Sequence, residues 1–191
     1  ALLDRVVNTA SRFTLKGDSL RKKHVTLPRQ NCNSMAVFAV TVCSVFTNLS
    51  ITELPLDGNA IADVFKIYMQ DSGLFVAMLE EGSAWHILNG DFGIYKGAIY
   101  ENIIADAFSK KSRPLYYYRK DSGLEINFVT KYKEKATLIE VKASNGNIKS
   151  SKTILKNKAQ YNTDLCIKFG ECNVGFNGEI LTLPYYMAFM I

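Results

Sequence analysis

Leu124-Glu-Ile-Asn-Phe128 and Leu138-Ile-Glu-Val-Lys142 are two short segments in which apolar and polar residues alternate. Successive side chains of a β-strand point to opposite faces of its sheet, so this alternation predicts two strands that are each apolar on one face only. On the first strand, the predicted apolar face consists of Leu124, Ile126 and Phe128.

The polar faces of these two strands hold the candidate site. Glu125 and Asn127 are predicted to share the polar face of the first strand, and Glu140 and Lys142 that of the second. Because the two strands are predicted neighbours, all four side chains are expected on the same side of the sheet. A third acidic candidate, Glu101, lies on a predicted helix just before the sheet. The sequence therefore predicts carboxylates, an amide and an ammonium group close together.

Such a set of groups suits chemistry on phosphate. A hard divalent cation such as Mg²⁺ binds oxygen ligands, usually one or two carboxylates together with water and substrate phosphate. The bound cation lowers the pKa of its water and so provides a nucleophile, while a nearby lysine stabilises the developing charge. The alternative interpretation is that these polar residues only form the solvated face of a half-exposed sheet.

The elements around the two strands follow from apolar spacing and from turn residues. From residue 98 onward the predicted order is α-β-β-β-α-β-β, which indicates an α/β fold with a mixed sheet flanked by helices. The predicted elements are a helix at 98–108, strands at 115–119, 124–132 and 137–143, a helix at 150–161, and strands at 165–169 and 180–183.

The upstream half is less regular. Residues 65–69 predict a strand, and residues 74–81 predict a helix that Asp71 or Ser72 caps. The apolar residues 35–49 fit either a strand or a buried helix. The basic turn Arg21-Lys-Lys-His24 fits a nucleic-acid contact or an exposed charged turn.

Charge is uneven along the chain. Residues 95–191 contain 15 Lys+Arg and 9 Asp+Glu, a balance of +6, whereas residues 1–94 contain 8 and 9, a balance of −1. The basic half suits a polyanionic partner such as nucleic acid, or it is a solvated lysine-rich surface. Lys149, Lys152 and Lys156 are spaced to share one helix face, which fits both interpretations.

The cysteines and the apolar stretch near the start of the sequence indicate the cellular compartment of the protein. Cys32, Cys43, Cys166 and Cys172 form no CxxC pair, which predicts free thiols in a reducing cytoplasm. The apolar residues 35–46 are too few to span a bilayer, and no signal peptide opens the chain, so we expect a cytoplasmic protein without a membrane partner. The first residue is not methionine, so we expect a fragment of a longer protein.

A set of motifs carries a resemblance to a known prokaryotic domain. Besides the two alternating strands, these motifs are Phe65-Lys-Ile-Tyr-Met-Gln-Asp-Ser-Gly-Leu74, Lys96-Gly-Ala-Ile-Tyr-Glu-Asn102, Leu115-Tyr-Tyr-Tyr-Arg119 and Leu183-Pro-Tyr-Tyr-Met-Ala-Phe189. In this order they resemble the C-terminal domain of unknown function of AAA-type ATPases, which is grouped with the PD-(D/E)xK nuclease superfamily. The resemblance implies a restriction-endonuclease-like α/β domain at 61–191, preceded by a partial helical or winged-helix-like region and linker at 1–60.

The resemblance also implies roles for the candidate residues, with Mg²⁺ or Mn²⁺ as the cofactor. Glu101 would orient a metal-bound water, Glu140 would be a metal ligand, and Lys142 would be the catalytic lysine. The family pattern has a ligand aspartate where this chain has Asn127. An amide oxygen can coordinate a cation but brings no charge, so this departure predicts weaker metal binding, for which Glu125 is a candidate to compensate.

The ATPase module is not part of this sequence. No GxxxxGK[ST] phosphate loop occurs, so the chain has no ATP site of that type and would be the distal part of such an ATPase. Two functions stay open at this point. One is a nucleic-acid-associated, nuclease-like domain with an active or degenerate metal-dependent phosphodiesterase site, and the other is a non-catalytic interaction or regulatory domain.

Overall fold

A computed structural model describes residues 43–144 and 146–191, and these form an α/β fold on one eight-stranded mixed sheet. The predictions made for residues 1–42, including Cys32 and the basic turn, lie outside the described residues. The strand order is β2-β1-β3-β4-β5-β6-β8-β7. The strands are β1 (Cys43–Leu49), β2 (Ala60–Met69), β3 (Tyr116–Arg119), β4 (Glu125–Tyr132), β5 (Lys135–Val141), β6 (Cys166–Gly170), β7 (Gly175–Phe176) and β8 (Ile180–Pro184).

Five α-helices connect the strands within the described residues. They are α1 (Ser72–Ala77), α2 (Ser83–Leu88), α3 (Lys96–Lys110), α4 (Lys149–Lys156) and α5 (Lys158–Tyr161), and short 3-10 turns occupy Asp57–Asn59, Gly93–Tyr95 and Tyr185–Met190. The predicted α/β class and the order α-β-β-β-α-β-β from residue 98 are confirmed. The structure adds β7 and α2, and it divides the helix predicted at 150–161 into two at Asn157.

The helices cover both faces of the sheet. Ile104 and Phe108 of α3 belong to one buried cluster with Ile139 of β5. Ile154 of α4 belongs to a second cluster with Leu138, the neighbour of Ile139 along the strand. Because adjacent strand residues point to opposite faces, α3 and α4 lie on opposite sides of β5.

The hairpin of β1 and β2 forms one end of the sheet. Residues 43–49, for which the sequence allowed a strand or a buried helix, form a strand that pairs antiparallel with β2. On its other side β1 meets β3 through a single parallel pair, Asn48 with Tyr117. The Asn48 amide strengthens this narrow seam, because it accepts a hydrogen bond from the Arg119 N–H (2.8 Å) and donates one to the Arg119 carbonyl (3.2 Å).

Several local predictions are confirmed. Asp71 caps α1 by accepting a hydrogen bond from the N–H of Leu74 at 2.8 Å. Cys43, Cys166 and Cys172 are free thiols, and Cys166 is buried. Across residues 43–144 and 146–191, none of the helices has the length and apolar character needed to traverse a bilayer.

Candidate functional site around Asn127

A bulge in β4 sets the position of Asn127. The pairing of β3 with β4 shifts by one residue between Tyr116–Val129 and Tyr118–Ile126, and the ladder with β5 ends at Phe128. The prediction that Ile126 and Phe128 share one face is therefore wrong. Phe128 packs in the cluster on the α3 side, and Ile126 packs in the cluster on the α4 side, because the extra residue of a bulge resets the alternation.

The side chain of Asn127 bridges α3 and β5. Its Nδ2 donates a hydrogen bond to Oε1 of Glu101 at 2.8 Å, and its Oδ1 accepts one from the backbone N–H of Val141 at 3.0 Å. The Asn127 amide thus forms a hydrogen bond to the β5 backbone past the point where the backbone pairing of β4 with β5 ends. A carboxylate at this position could accept from Val141 but could not donate to Glu101.

Glu101, on α3, is held at both carboxylate oxygens. Asn127 donates to Oε1, and the hydroxyl of Tyr68 on β2 donates to Oε2 at 3.1 Å. Burial raises the pKa of Glu101, and the charge of Glu125 raises it further, whereas Lys66, Lys142 and the Tyr68 hydrogen bond lower it. The net direction is upward, so the site favours a proton on this carboxyl more than water does.

Glu140 lies near the end of β5 and is 2% exposed. The Ser151 hydroxyl on α4 donates to its Oε1 at 2.7 Å, and the Lys142 ammonium lies 2.9 Å from its Oε2. The predicted sharing of a face by Glu140 and Lys142 is thus confirmed by their contact. Both oxygens of Glu140 are already engaged with protein groups.

Two hydrogen-bonded groups result from these contacts. Glu101 and Asn127 form the first, and Glu140, Lys142 and Ser151 form the second. The prediction that Glu140 shares one side of the sheet with the group around Glu101 is wrong. Glu101 lies on α3, whereas Glu140 faces α4 on the opposite side of β5, because strand residues alternate between faces. Val141, between Glu140 and Lys142 in the chain, joins the groups through its backbone N–H, and Lys142 acts electrostatically on Glu101.

Residues 96–186 match the family model of the domain of unknown function DUF4143. This DUF4143 match covers all five predicted site residues, since it spans Glu101 through Lys142, but it begins after β2. No curated protein and no solved structure matches the chain. The family description assigns no activity, so the geometry of the site is the guide to its chemistry.

Glu125, the fifth predicted site residue in the DUF4143 region, forms ion pairs with two basic side chains. Lys66 on β2 lies 2.5 Å from its Oε1, and Arg119 lies 3.9 Å from its Oε2. The Lys66 ammonium also lies 4.9 Å from the centre of the Tyr117 ring. Glu125 therefore serves as an ion-pair partner at the rim of the site, where its side chain is 40% exposed.

Lys66 and Tyr68 are the functional residues that sequence reasoning missed. They alternate on β2 and reach Glu125 and Glu101, which places the Phe65–Leu74 motif beside the site although it lies upstream of the DUF4143 match. Residues two apart on a strand point to one side of its sheet, but no local pattern indicates what Lys66 and Tyr68 face. Ser151, a serine on a lysine-rich helix, carried no recognisable signal either.

The site does not match the donor set that Mg²⁺ or Mn²⁺ prefers. Among residues 43–144 and 146–191, no three His, Cys, Asp or Glu side chains form a group that could hold a metal ion. The Asn127 oxygen accepts the Val141 N–H, and the Glu140 oxygens are bonded to Ser151 and Lys142. A cation would compete with those partners, and Asn127 bonds Glu101 on the α3 side while Glu140 bonds Ser151 on the α4 side, so the residues present do not fit the metal that the resemblance implies.

Two tyrosines of β3 and three lysines of α4 lie outside the two hydrogen-bonded groups. Tyr117 and Tyr118 are buried, so they pack within the fold. On α4, Lys149, Lys152 and Lys156 are all exposed, and none forms an ion pair with another described residue. We call these three lysines the basic α4 face; they have no acidic partner among the described residues.

Proposed function

We propose that this domain is a degenerate, nuclease-like, nucleic-acid-associated domain that no longer carries out phosphodiester cleavage and acts as an interaction domain. The Asn127 bridge carries this proposal. In this bridge, the amide N–H of Asn127 places partial positive charge next to Glu101. In a metal-dependent site, a divalent cation does this for a pair of carboxylates.

Electrostatics supports this interpretation of Asn127. An aspartate at the same place would bring a second negative charge to within hydrogen-bonding distance of Glu101. Two unit charges about 4 Å apart interact by about 4 kcal/mol at an effective dielectric constant of about 20. Such a pair needs a cation or a shared proton, whereas the neutral amide needs neither.

The second hydrogen-bonded group supports the same conclusion. The Lys142 side chain is 28% exposed, and its ammonium is bonded to the buried Glu140 carboxylate, so part of its donor capacity and its charge are used within the protein. Ser151 and Lys142 each bind one oxygen of Glu140, and the Lys142 ammonium already balances the charge that would attract a cation. These contacts favour a structural role for both residues.

The association with nucleic acid rests on charge. Residues 95–191 carry a balance of +6, with 15 Lys+Arg against 9 Asp+Glu. The basic α4 face adds exposed lysines without acidic partners among the described residues, and such lysines bind phosphates by releasing counterions. The link to the C-terminal part of an AAA-type ATP-binding protein, and with it a cytoplasmic location, belongs to this proposal through the motif resemblance.

Calorimetric titration with Mn²⁺ tests the proposal. We expect no binding to the unsubstituted chain and measurable binding to Asn127→Asp, because the substitution restores a ligand charge next to Glu101. Asn48→Asp is the matched control, since it also converts an amide that both donates and accepts hydrogen bonds to a carboxylate but lies outside the site. If the unsubstituted chain binds Mn²⁺ and cleaves DNA in its presence, the alternative of an active nuclease replaces this proposal.

A further inference from the structure

Two of the described asparagines precede a glycine in an exposed turn. Asn177 and Gly178 lie in the turn between β7 and β8, and Asn89 and Gly90 directly follow α2. A third such pair begins at Asn145, which lies outside the described residues. A side-chain amide reaches the next backbone nitrogen most easily before glycine, which has no side chain to obstruct the approach. The two described pairs differ in the hydrogen bonds that they make.

Ring closure at such a pair joins the glycine nitrogen to Cγ of the asparagine. The nitrogen gives up its proton to solvent base as the N–Cγ bond forms. The Cγ–Nδ2 bond then breaks, and the amide nitrogen takes up a proton and leaves as ammonia. The reaction is favoured by a glycine N–H without a hydrogen bond, by donors that stabilise negative charge on Oδ1, and by an Nδ2 that is free to leave.

The Asn177 carbonyl has such donors. Its Oδ1 accepts hydrogen bonds from the backbone N–H of Ile180 at 2.8 Å and from that of Glu179 at 3.2 Å. These donors withdraw electron density from Cγ and stabilise the charge that Oδ1 takes on during the attack, as the donors of an oxyanion hole do. The same bonds fold the side chain back along the turn, towards the peptide that it has to reach.

The other two atoms of the reaction carry no bond that opposes it. Neither the Gly178 N–H nor Nδ2 of Asn177 forms a hydrogen bond with any residue of 43–144 or 146–191. Gly178 has a φ of 94°, a left-handed conformation that residues with a Cβ rarely adopt, so the turn itself requires glycine here. The turn therefore retains the residue that leaves Asn177 least protected.

The pair at Asn89 has the opposite arrangement. The Gly90 N–H donates to the Ile87 carbonyl at 3.0 Å, and Nδ2 of Asn89 donates to the Trp85 carbonyl at 2.8 Å. Oδ1 of Asn89 accepts no hydrogen bond within the described part of the chain. Ring closure at Asn89 would have to break the bond of the attacking nitrogen and release an amide that is held in place.

We propose that Asn177 is a site of spontaneous deamidation in the folded protein. Loss of ammonia gives a succinimide of residues 177 and 178, and water then adds to one of its two carbonyls. Opening at Cγ leaves aspartate, whereas opening at the backbone carbonyl leaves isoaspartate, which lengthens the turn by one methylene. The two β7–β8 pairs, Gly175–Thr182 and Phe176–Leu181, flank this turn, so isoaspartate weakens the edge of the sheet. This site does not depend on the function proposed for the Asn127 site.

Incubation of the full chain in heavy-oxygen water, followed by peptide mass spectrometry, tests the proposal. In folding buffer at mildly alkaline pH, we expect residue 177 to take up one heavy oxygen about tenfold faster than residue 89, because reaction at Asn89 first breaks a hydrogen bond. In concentrated urea, where these hydrogen bonds are lost, the two rates should approach each other. Asn177→Gln is the matched control, since its longer side chain would have to close a larger ring, and it should take up no label at residue 177 over the same time.

Two results would overturn the proposal. The first is a rate at Asn177 that does not exceed the rate at Asn89 in the folded chain. The second is the same ratio of the two rates in folding buffer and in urea, which would assign the difference to the local sequence and not to the hydrogen bonds of the turn. Both measurements use the unsubstituted chain, so neither depends on whether a variant folds.

Discussion

Asn127 donates a hydrogen bond to Glu101 over 2.8 Å, and this contact joins helix α3 to the bulge of β4. The same side chain bonds the Val141 N–H of β5. One amide thus holds together three elements that meet where the β4–β5 ladder ends. The bridge requires a group that both donates and accepts, which asparagine provides and aspartate does not.

Replacing this amide tests the bridge directly. In Asn127→Asp without added metal, we expect the free energy of unfolding at pH 7 to fall by about 2–3 kcal/mol, because Glu101 loses its donor and gains a neighbouring charge. Urea denaturation measures this change. Combining Asn127→Asp with Glu101→Gln reverses the donor and acceptor and should recover most of the loss; a double variant less stable than the single one would contradict the bridge.

Glu101 should make stability depend on pH. Its pKa is raised in the folded protein, so the folded state binds the proton more tightly than the unfolded chain does. The stabilisation is complete below the ordinary pKa of a glutamic acid and is lost as the pH rises through the raised value. We expect the unfolding free energy of Glu101→Gln, compared with the unsubstituted chain in urea titrations from about pH 4 to about pH 8, to fall less with rising pH over that interval.

Removal of the Tyr68 hydroxyl should extend this pH effect. The Tyr68 hydrogen bond lowers the pKa of Glu101, so its loss in Tyr68→Phe raises that pKa further. We expect the loss of stability to continue to higher pH than in the unsubstituted chain. The aromatic ring, whose centre lies 5.2 Å from that of Phe128, is retained in this variant. A Tyr68→Phe curve parallel to that of the unsubstituted chain would show that the hydroxyl does not act on Glu101.

Ser151 should stabilise the fold through Glu140. Ser151→Ala removes the hydroxyl that donates to this buried carboxylate, and we expect a loss of about 1–3 kcal/mol in the free energy of unfolding. Ser150→Ala, one residue earlier and only partly buried, is the control, with an expected change within about 0.5 kcal/mol. Equal effects of the two substitutions would mean that Glu140 does not depend on Ser151.

The basic α4 face should govern nucleic-acid binding. Replacing Lys149, Lys152 and Lys156 with glutamine should weaken binding to duplex DNA and reduce the slope of log K against log salt by about 2–3, the value for three phosphate contacts. The control replaces Lys131, Lys133 and Lys135 with glutamine, which changes the charge equally on the β4–β5 hairpin. Mobility-shift titrations at several salt concentrations give both slopes, and an unchanged slope in the α4 variant would place the contacts elsewhere.

The sequence predicted most of the framework because that framework depends on local patterns. Alternation identified β4 and β5, apolar spacing identified α3, and Asp71 was recognised as a cap because it needs only the next three residues. The same local signals contained no indication of the bulge at Asn127, since a bulge depends on how the neighbouring strands pair.

The site was predicted in part for the same reason. Glu140 and Lys142 are two residues apart, and strand geometry alone brings them together. Lys66 and Glu125 are 59 residues apart, and Tyr68 and Glu101 are 33 apart, so their contacts depend on how the β1–β2 hairpin packs against α3 and β4. Ser151 reaches Glu140 only because α4 covers that face of the sheet.

The narrow seam between β1 and β3 separates two of the cationic and hydroxyl groups of the site from the carboxylates that they bind. Lys66 and Tyr68 lie on β2, whereas Glu125 lies on β4 and Glu101 on α3, beyond that seam. The seam consists of one backbone pair and the Asn48 amide. A pull transmitted through Cys43 would therefore withdraw a cation and a hydroxyl from two carboxylates in a single movement. Both of those groups lower the pKa of Glu101, so their loss would leave this carboxyl more readily protonated.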